Sequence, residues 1–182
     1  LFTILMAFLL GISTPTIGQT YNYVTDSTFN FTGIKRYTYY NVMDRLFDCK
    51  LQPVGKLITV GISKSPVSGA MELPVTRHLA DGGFDSTFSG DGTVYINMGN
   101  VQSLMGIYPR IAFDNDGKII IASSRMGAGS MDIFVCRIDT TGSLDPTFNG
   151  TGTMVFDVNG NNTEYDLAAN LDVDANNNIW IA

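Results

Sequence analysis

Any chemistry this chain performs through histidine must pass through His78, the only one among its 182 residues. A nucleophilic triad or a histidine-based metal site would rest on that single ring, so we expect a satisfied strand histidine instead. Cys49 and Cys136 are the only cysteines. Neither has a Cys or His at metal-ligand spacing, and two separate buried thiols are expected rather than a disulfide. Asp114-Asn115-Asp116-Gly117 begins like a calcium loop. Its twelfth position is Arg125 and not the Glu such a loop requires, so a hairpin turn is expected. No nucleophile elbow, phosphate loop or paired-cysteine zinc pattern occurs. Tyr37, Tyr39 and Tyr40 offer an aromatic strip, for which strand packing is the simpler expectation. Asn30, Asn149 and Asn161 start glycosylation-type triplets that turn composition explains. No catalytic, cofactor-binding or metal-ligating residue is therefore assigned, and no cofactor is expected.

The polar residues with the strongest spacing signal belong to a repeat. Asp-x-Thr-Phe-x-x-x-Gly occurs as Asp26, Thr28, Phe29 and Gly33, as Asp85, Thr87, Phe88 and Gly92, and as Asp145, Thr147, Phe148 and Gly152. The intervals are 59 and 60 residues. Arg77 and Arg137 each stand eight residues before the Asp of their copy. An Asp opening a turn accepts main-chain N–H groups two residues on, and Thr supports it. Each Arg is then expected to tie down a repeat Asp or turn carbonyls. The phenylalanines are expected as apolar plugs between sheets, with Phe88 and Phe148 more than about 90% buried, each contributing about 2–3 kcal/mol. The closing glycines supply a positive φ or a close approach.

The elements that must hold these residues read as strands. Between two motifs lie the runs Thr93–Asn97, Arg110–Phe113, Lys118–Ala122 and Asp132–Ile138, each bounded by turn residues. Four short antiparallel strands per period of sixty is the plan of a β-propeller blade. Composition agrees. Gly numbers 19, only Glu72 and Glu164 represent Glu among 17 acidic residues, and helix formers are scarce. The net charge of −6 argues against a nucleic-acid partner.

Residues 1–12, LFTILMAFLLGI, carry no charge, are too short to span a bilayer as a helix, and lead into a small-residue stretch ending at Gly18. This pattern predicts a signal peptide over 1–18 and an exported mature chain, extracellular, cell-surface or periplasmic, without an integral membrane segment.

Arg-x-x-x-x-Gly-x-[Leu/Phe]-Asp-x-Thr-Phe-x-x-x-Gly, carried from Arg77 to Gly92 and from Arg137 to Gly152, together with the Asp116–Ile119 hairpin, resembles the delta-60 repeat family of bacterial, mostly exported proteins. The resemblance implies tandem β-rich, propeller-like repeats and no common catalytic site. The first unit departs from it, with no Arg or Gly at the matching places before Asp26. The expected organisation is an atypical first repeat over 19–84, a second over 85–144 and a partial third over 145–182, forming an all-β, incomplete and open array.

The expected function is a non-catalytic scaffold or binding module for an unknown surface protein or glycan, alongside further blades of the same full-length chain. Two other readings stand beside it. The chain could be part of a propeller enzyme whose site other blades complete, or a calcium-stabilised adhesion module.

Overall fold

A computed structural model describes residues 4–7, 9–10, 24–31, 34–40, 44–99, 106–126, 129–158, 160 and 164–182. Every regular element among them is a strand. Four short strands come first: β1 (Ile4–Ala7), β2 (Leu9–Leu10), β3 (Val24–Thr25) and β4 (Ile34–Tyr37). β1 pairs antiparallel with β4, and β2 with β3. Thus a stretch read from sequence as a leader forms ladder pairs with residues that follow it.

Two four-stranded antiparallel sheets make the body. The first runs β5 (Asp44–Leu51), β6 (Leu57–Lys64), β7 (Met71–His78), β8 (Thr93–Asn97) in spatial order. The second runs β9 (Arg110–Phe113), β10 (Ile119–Met126), β11 (Met131–Ile138), β12 (Thr153–Phe156). A two-stranded ribbon follows, β13 (Leu171–Val173) with β14 (Ile179–Ile181). The sheets are out of phase with the sequence units 19–84, 85–144 and 145–182. The strand that follows each motif, β8 or β12, completes the sheet that precedes it.

Alternation on the central strands explains how the sheets stack. On β10, Ile119 and Ile121 face the first sheet and join Ile58, Val60, Ile62 and Phe88 in one core. Ile120 and Ala122 point the other way, into a second core with Leu171 and half-buried Phe148. Both faces of a central strand are therefore buried, which its continuous apolar run requires. A smaller core holds Phe29 and Leu57. This is an open, β-propeller-type array of antiparallel sheets. Among the described residues no helix is long and apolar enough to cross a membrane.

Candidate functional site

Each motif copy builds a turn whose Asp is the hub. In the second copy, Asp85 Oδ1 accepts from the Thr87 amide at 3.1 Å and from its hydroxyl at 2.6 Å. Arg77, at the end of β7, donates Nε to Asp85 Oδ2 at 2.7 Å and Nη2 to the Thr87 hydroxyl at 2.8 Å. Its guanidinium lies 4.8 Å above the Phe88 ring. Its third nitrogen, Nη1, crosses to the next unit and donates to the Thr140 carbonyl at 2.6 Å. Lys56, from the hairpin between β5 and β6, sits 2.7 Å from the same carboxylate oxygen. Burial on its own would raise the Asp85 pKa, but Lys56, Thr87 and Arg77 outweigh it and hold the carboxyl well below the usual range.

The third copy repeats the local part. Arg137 donates Nε to Asp145 at 2.8 Å and Nη2 to the Thr147 hydroxyl at 2.8 Å, and Lys118 lies 2.8 Å from the carboxylate. Lys118 first, then Thr147 and Arg137, hold the Asp145 carboxyl low. Sequence reasoning identified the arginines and missed both lysines, although each follows the Gly of a hairpin turn. Phe88 is fully buried, whereas Phe148 is half-buried, short of the more than 90% expected. The reason is what lies opposite. Phe88 packs on Gly142 of the following turn, as Phe29 packs on Gly82. Phe148 packs against the second core without a glycine of a following turn upon it among the described residues.

Gly92 and Gly152 have φ of 94° and 81°. A Cβ there would lie 2.9 Å from the Phe84 side chain or 2.8 Å from that of Leu144, so conformation and space both demand glycine. Gly33 lies outside the described residues.

The first copy keeps the frame and changes the contents. Asp26 Oδ1 accepts from the Thr28 amide at 2.9 Å and hydroxyl at 2.6 Å, and Phe29 is buried. The Asn30 amide donates to the Asp81 carbonyl at 2.7 Å, as Ser89 donates to Thr141 at 2.7 Å. No arginine or lysine contacts Asp26 among the described residues. A pocket of about 240 Å³ opens beside it, bounded by Thr28, Phe29, Leu57 and Ala80.

The other candidates resolve into structure. His78 lies on β7, fully buried between the rings of Tyr37 and Phe84. It is a strand histidine but not a satisfied one, since neither ring nitrogen has a hydrogen-bond partner among the described residues. Burial lowers its pKa to about 4, with the Gly82 backbone opposing and the Lys35 charge adding to the shift. The tyrosines pack and bond across the first sheet: Tyr39 to Thr76 at 3.1 Å, and Tyr40 stacked on Tyr95 with its hydroxyl donating to Glu72 at 3.1 Å.

Both cysteines are free. Cys136 is buried, its thiol pushed up to about 12 by desolvation. Cys49 is exposed, contrary to expectation, because a bulge between Leu46 and Asp48 resets the faces of edge strand β5. Asp114 Oδ1 takes the amides of Asp116 and Lys118, as a turn residue does. Asn30 and Asn149 each donate a side-chain amide to a main-chain carbonyl four residues on. Asn161 lies outside the described residues.

Residues 115–148 match the family described as a domain of unknown function (DUF5122) beta-propeller. The match runs from the β9–β10 turn to Phe148, the span that holds the second sheet's central strands and the third motif copy from Asp145 to Phe148. No curated protein and no solved structure matches the chain.

Proposed function

We propose that the chain is part of an exported delta-60-type repeat protein whose propeller-type body is a non-catalytic scaffold or recognition surface for a surface protein or glycan. One observation carries this reading. The polar side chains that repeat most faithfully are engaged with one another and with main-chain groups, so their recurrence serves the joint between sheets. An Asp with two cationic partners and two Thr bonds has no free lone pair suited to proton transfer. The uncharged segment before Gln19 supports export.

Two measurements test the two halves. Expressed from its full reading frame in a bacterial host, the protein is expected outside the cytoplasm with Gln19 at its N-terminus. An intact N-terminus retained in the cytoplasm overturns export. Presented to arrayed glycans and surface-protein fractions, it is expected to retain a bound species unchanged, and conversion of that species overturns the non-catalytic reading.

A further inference from the structure

The first motif copy differs from the other two in a way that defines a ligand. In the second copy, the Arg77 guanidinium touches four groups: the Asp85 carboxylate, the Thr87 hydroxyl, the Phe88 face and the Thr140 carbonyl. One repeat earlier the same places are held by Asp26, Thr28, Phe29 and Ala80, and all four line the pocket. The surrounding frame is also conserved between the copies. The turn-to-turn hydrogen bond from Asn30 matches that from Ser89, and the packing of Phe29 on Gly82 matches that of Phe88 on Gly142. What changes is the cations: Gly18 and not arginine stands eight places before the Asp, and among the described residues no lysine takes the place that Lys56 holds beside Asp85. Neither nearby cation takes over: the Lys35 ammonium lies over the Phe84 ring, 4.9 Å from its centroid, and Arg36 is exposed on β4.

We propose that this pocket is a receptor for a guanidinium group, either the arginine side chain of a polypeptide or a small guanidinium compound. The chemistry follows from the occupied copy. A planar fork can bond a carboxylate and a carbonyl at once while its face rests on an aromatic ring, and an ammonium cannot reproduce that geometry. The carboxylate supplies the charge and the Ala80 carbonyl the far acceptor, in a pocket that Thr28 and Phe29 line beside them. At about 240 Å³ the space is below the range of drug-sized ligand pockets, which suits a single side-chain head group. The site names a binding chemistry that the scaffold reading leaves open, and it holds whether or not the protein is exported.

Nuclear magnetic resonance of the ¹⁵N-labelled full chain tests it, with methylguanidinium and methylammonium added at constant ionic strength. Saturable shifts are expected at the Thr28, Phe29 and Leu57 amides with methylguanidinium, and roughly tenfold weaker binding with methylammonium. Asp26→Asn should weaken methylguanidinium binding roughly tenfold or more, while Asp172→Asn, the same charge change on β13, leaves it unaltered. Should Asp26→Asn lose its amide dispersion, Leu51→Arg decides. Leu51 lines the pocket but is 58% exposed, so an arginine there keeps the fold and occupies the slot itself, abolishing the response. Absence of saturable shifts, equal binding of the two cations, or undiminished binding in Leu51→Arg or in folded Asp26→Asn overturns the proposal. A peptide with one internal arginine then separates the sources. Tighter binding than methylguanidinium, lost on replacing arginine by citrulline, points to a polypeptide; binding no tighter points to a small compound.

Discussion

The joints at Asp85 and Asp145 are built from the same residues and differ in what stands beyond them. Around each hub the local bonds agree to within about 0.1 Å: Arg to Asp, Arg to Thr, Lys to Asp. Beyond the hub they diverge. Arg77 reaches the Thr140 carbonyl and Phe88 seats on Gly142. Arg137 Nη1 has no hydrogen-bond partner among the described residues, and the Arg137 side chain is 20% exposed against 6% for Arg77. The motif therefore makes its own turn unaided, and the neighbouring unit makes the joint.

Substitutions at the plugs should separate the copies most. Phe88→Ala is expected to cost about 4 kcal/mol and Phe148→Ala about 2, read as shifts of the urea midpoint at constant slope. Equal costs would mean that the cover provided by the next turn contributes nothing. Arg77→Met should come next, at about 3 kcal/mol, because it leaves Asp85 buried with Lys56 alone, while Arg137→Met costs about 1. If the two prove equal, the Thr140 bond has no weight.

Acid distinguishes the joints by another route, since His78 on the first sheet corresponds to Ile138 on the second. His78 stays neutral in the folded protein down to about pH 4, whereas in the unfolded chain it takes up a proton near 6.5. Its contribution is thus complete above pH 6.5 and is lost as pH falls toward 4, a drop on the order of 3 kcal/mol. His78→Ile should flatten the stability profile across that window, and an unchanged slope there would refute the account. Asp85 acts with the same sign at lower pH, below its ordinary value of 3.8. The smallest contrast belongs to the threonines. Thr87→Val and Thr147→Val should each cost about 1 kcal/mol and agree with one another, because each hydroxyl has the same two partners, the Asp of its turn and the Arg of the preceding strand.

Features that depend on one repeat were readable from residues, and features that depend on two were not. The eight-residue spacing of Arg and Asp announced the tie, because β7 or β11 and the following turn bring those positions together. The lysines come from a hairpin at the far side of two strands, a separation that spacing within the motif does not reveal. The exposure of Phe148 was misjudged for the same reason, since a plug is buried by its neighbour and not by its own sequence. The β5 bulge that turns Cys49 outward has no Gly or Pro on its own strand; the glycine that accommodates it, Gly61 opposite Leu46, lies on the partner strand. In the first copy, the missing arginine was plain in the sequence. That its slot persists depends on Phe29 and Asn30 docking as their counterparts do.

The phase shift between repeat and sheet has a consequence for synthesis. A ribosome delivers β5, β6 and β7 well before β8, because the whole Asp85 turn separates them. Until Asn97 emerges, β7 is an open edge of the kind that pairs with other chains. The last hydrogen bond of Arg77 waits longer still, for Thr140. Each nascent unit therefore completes its predecessor before itself, so folding trails translation by a constant fraction of a repeat.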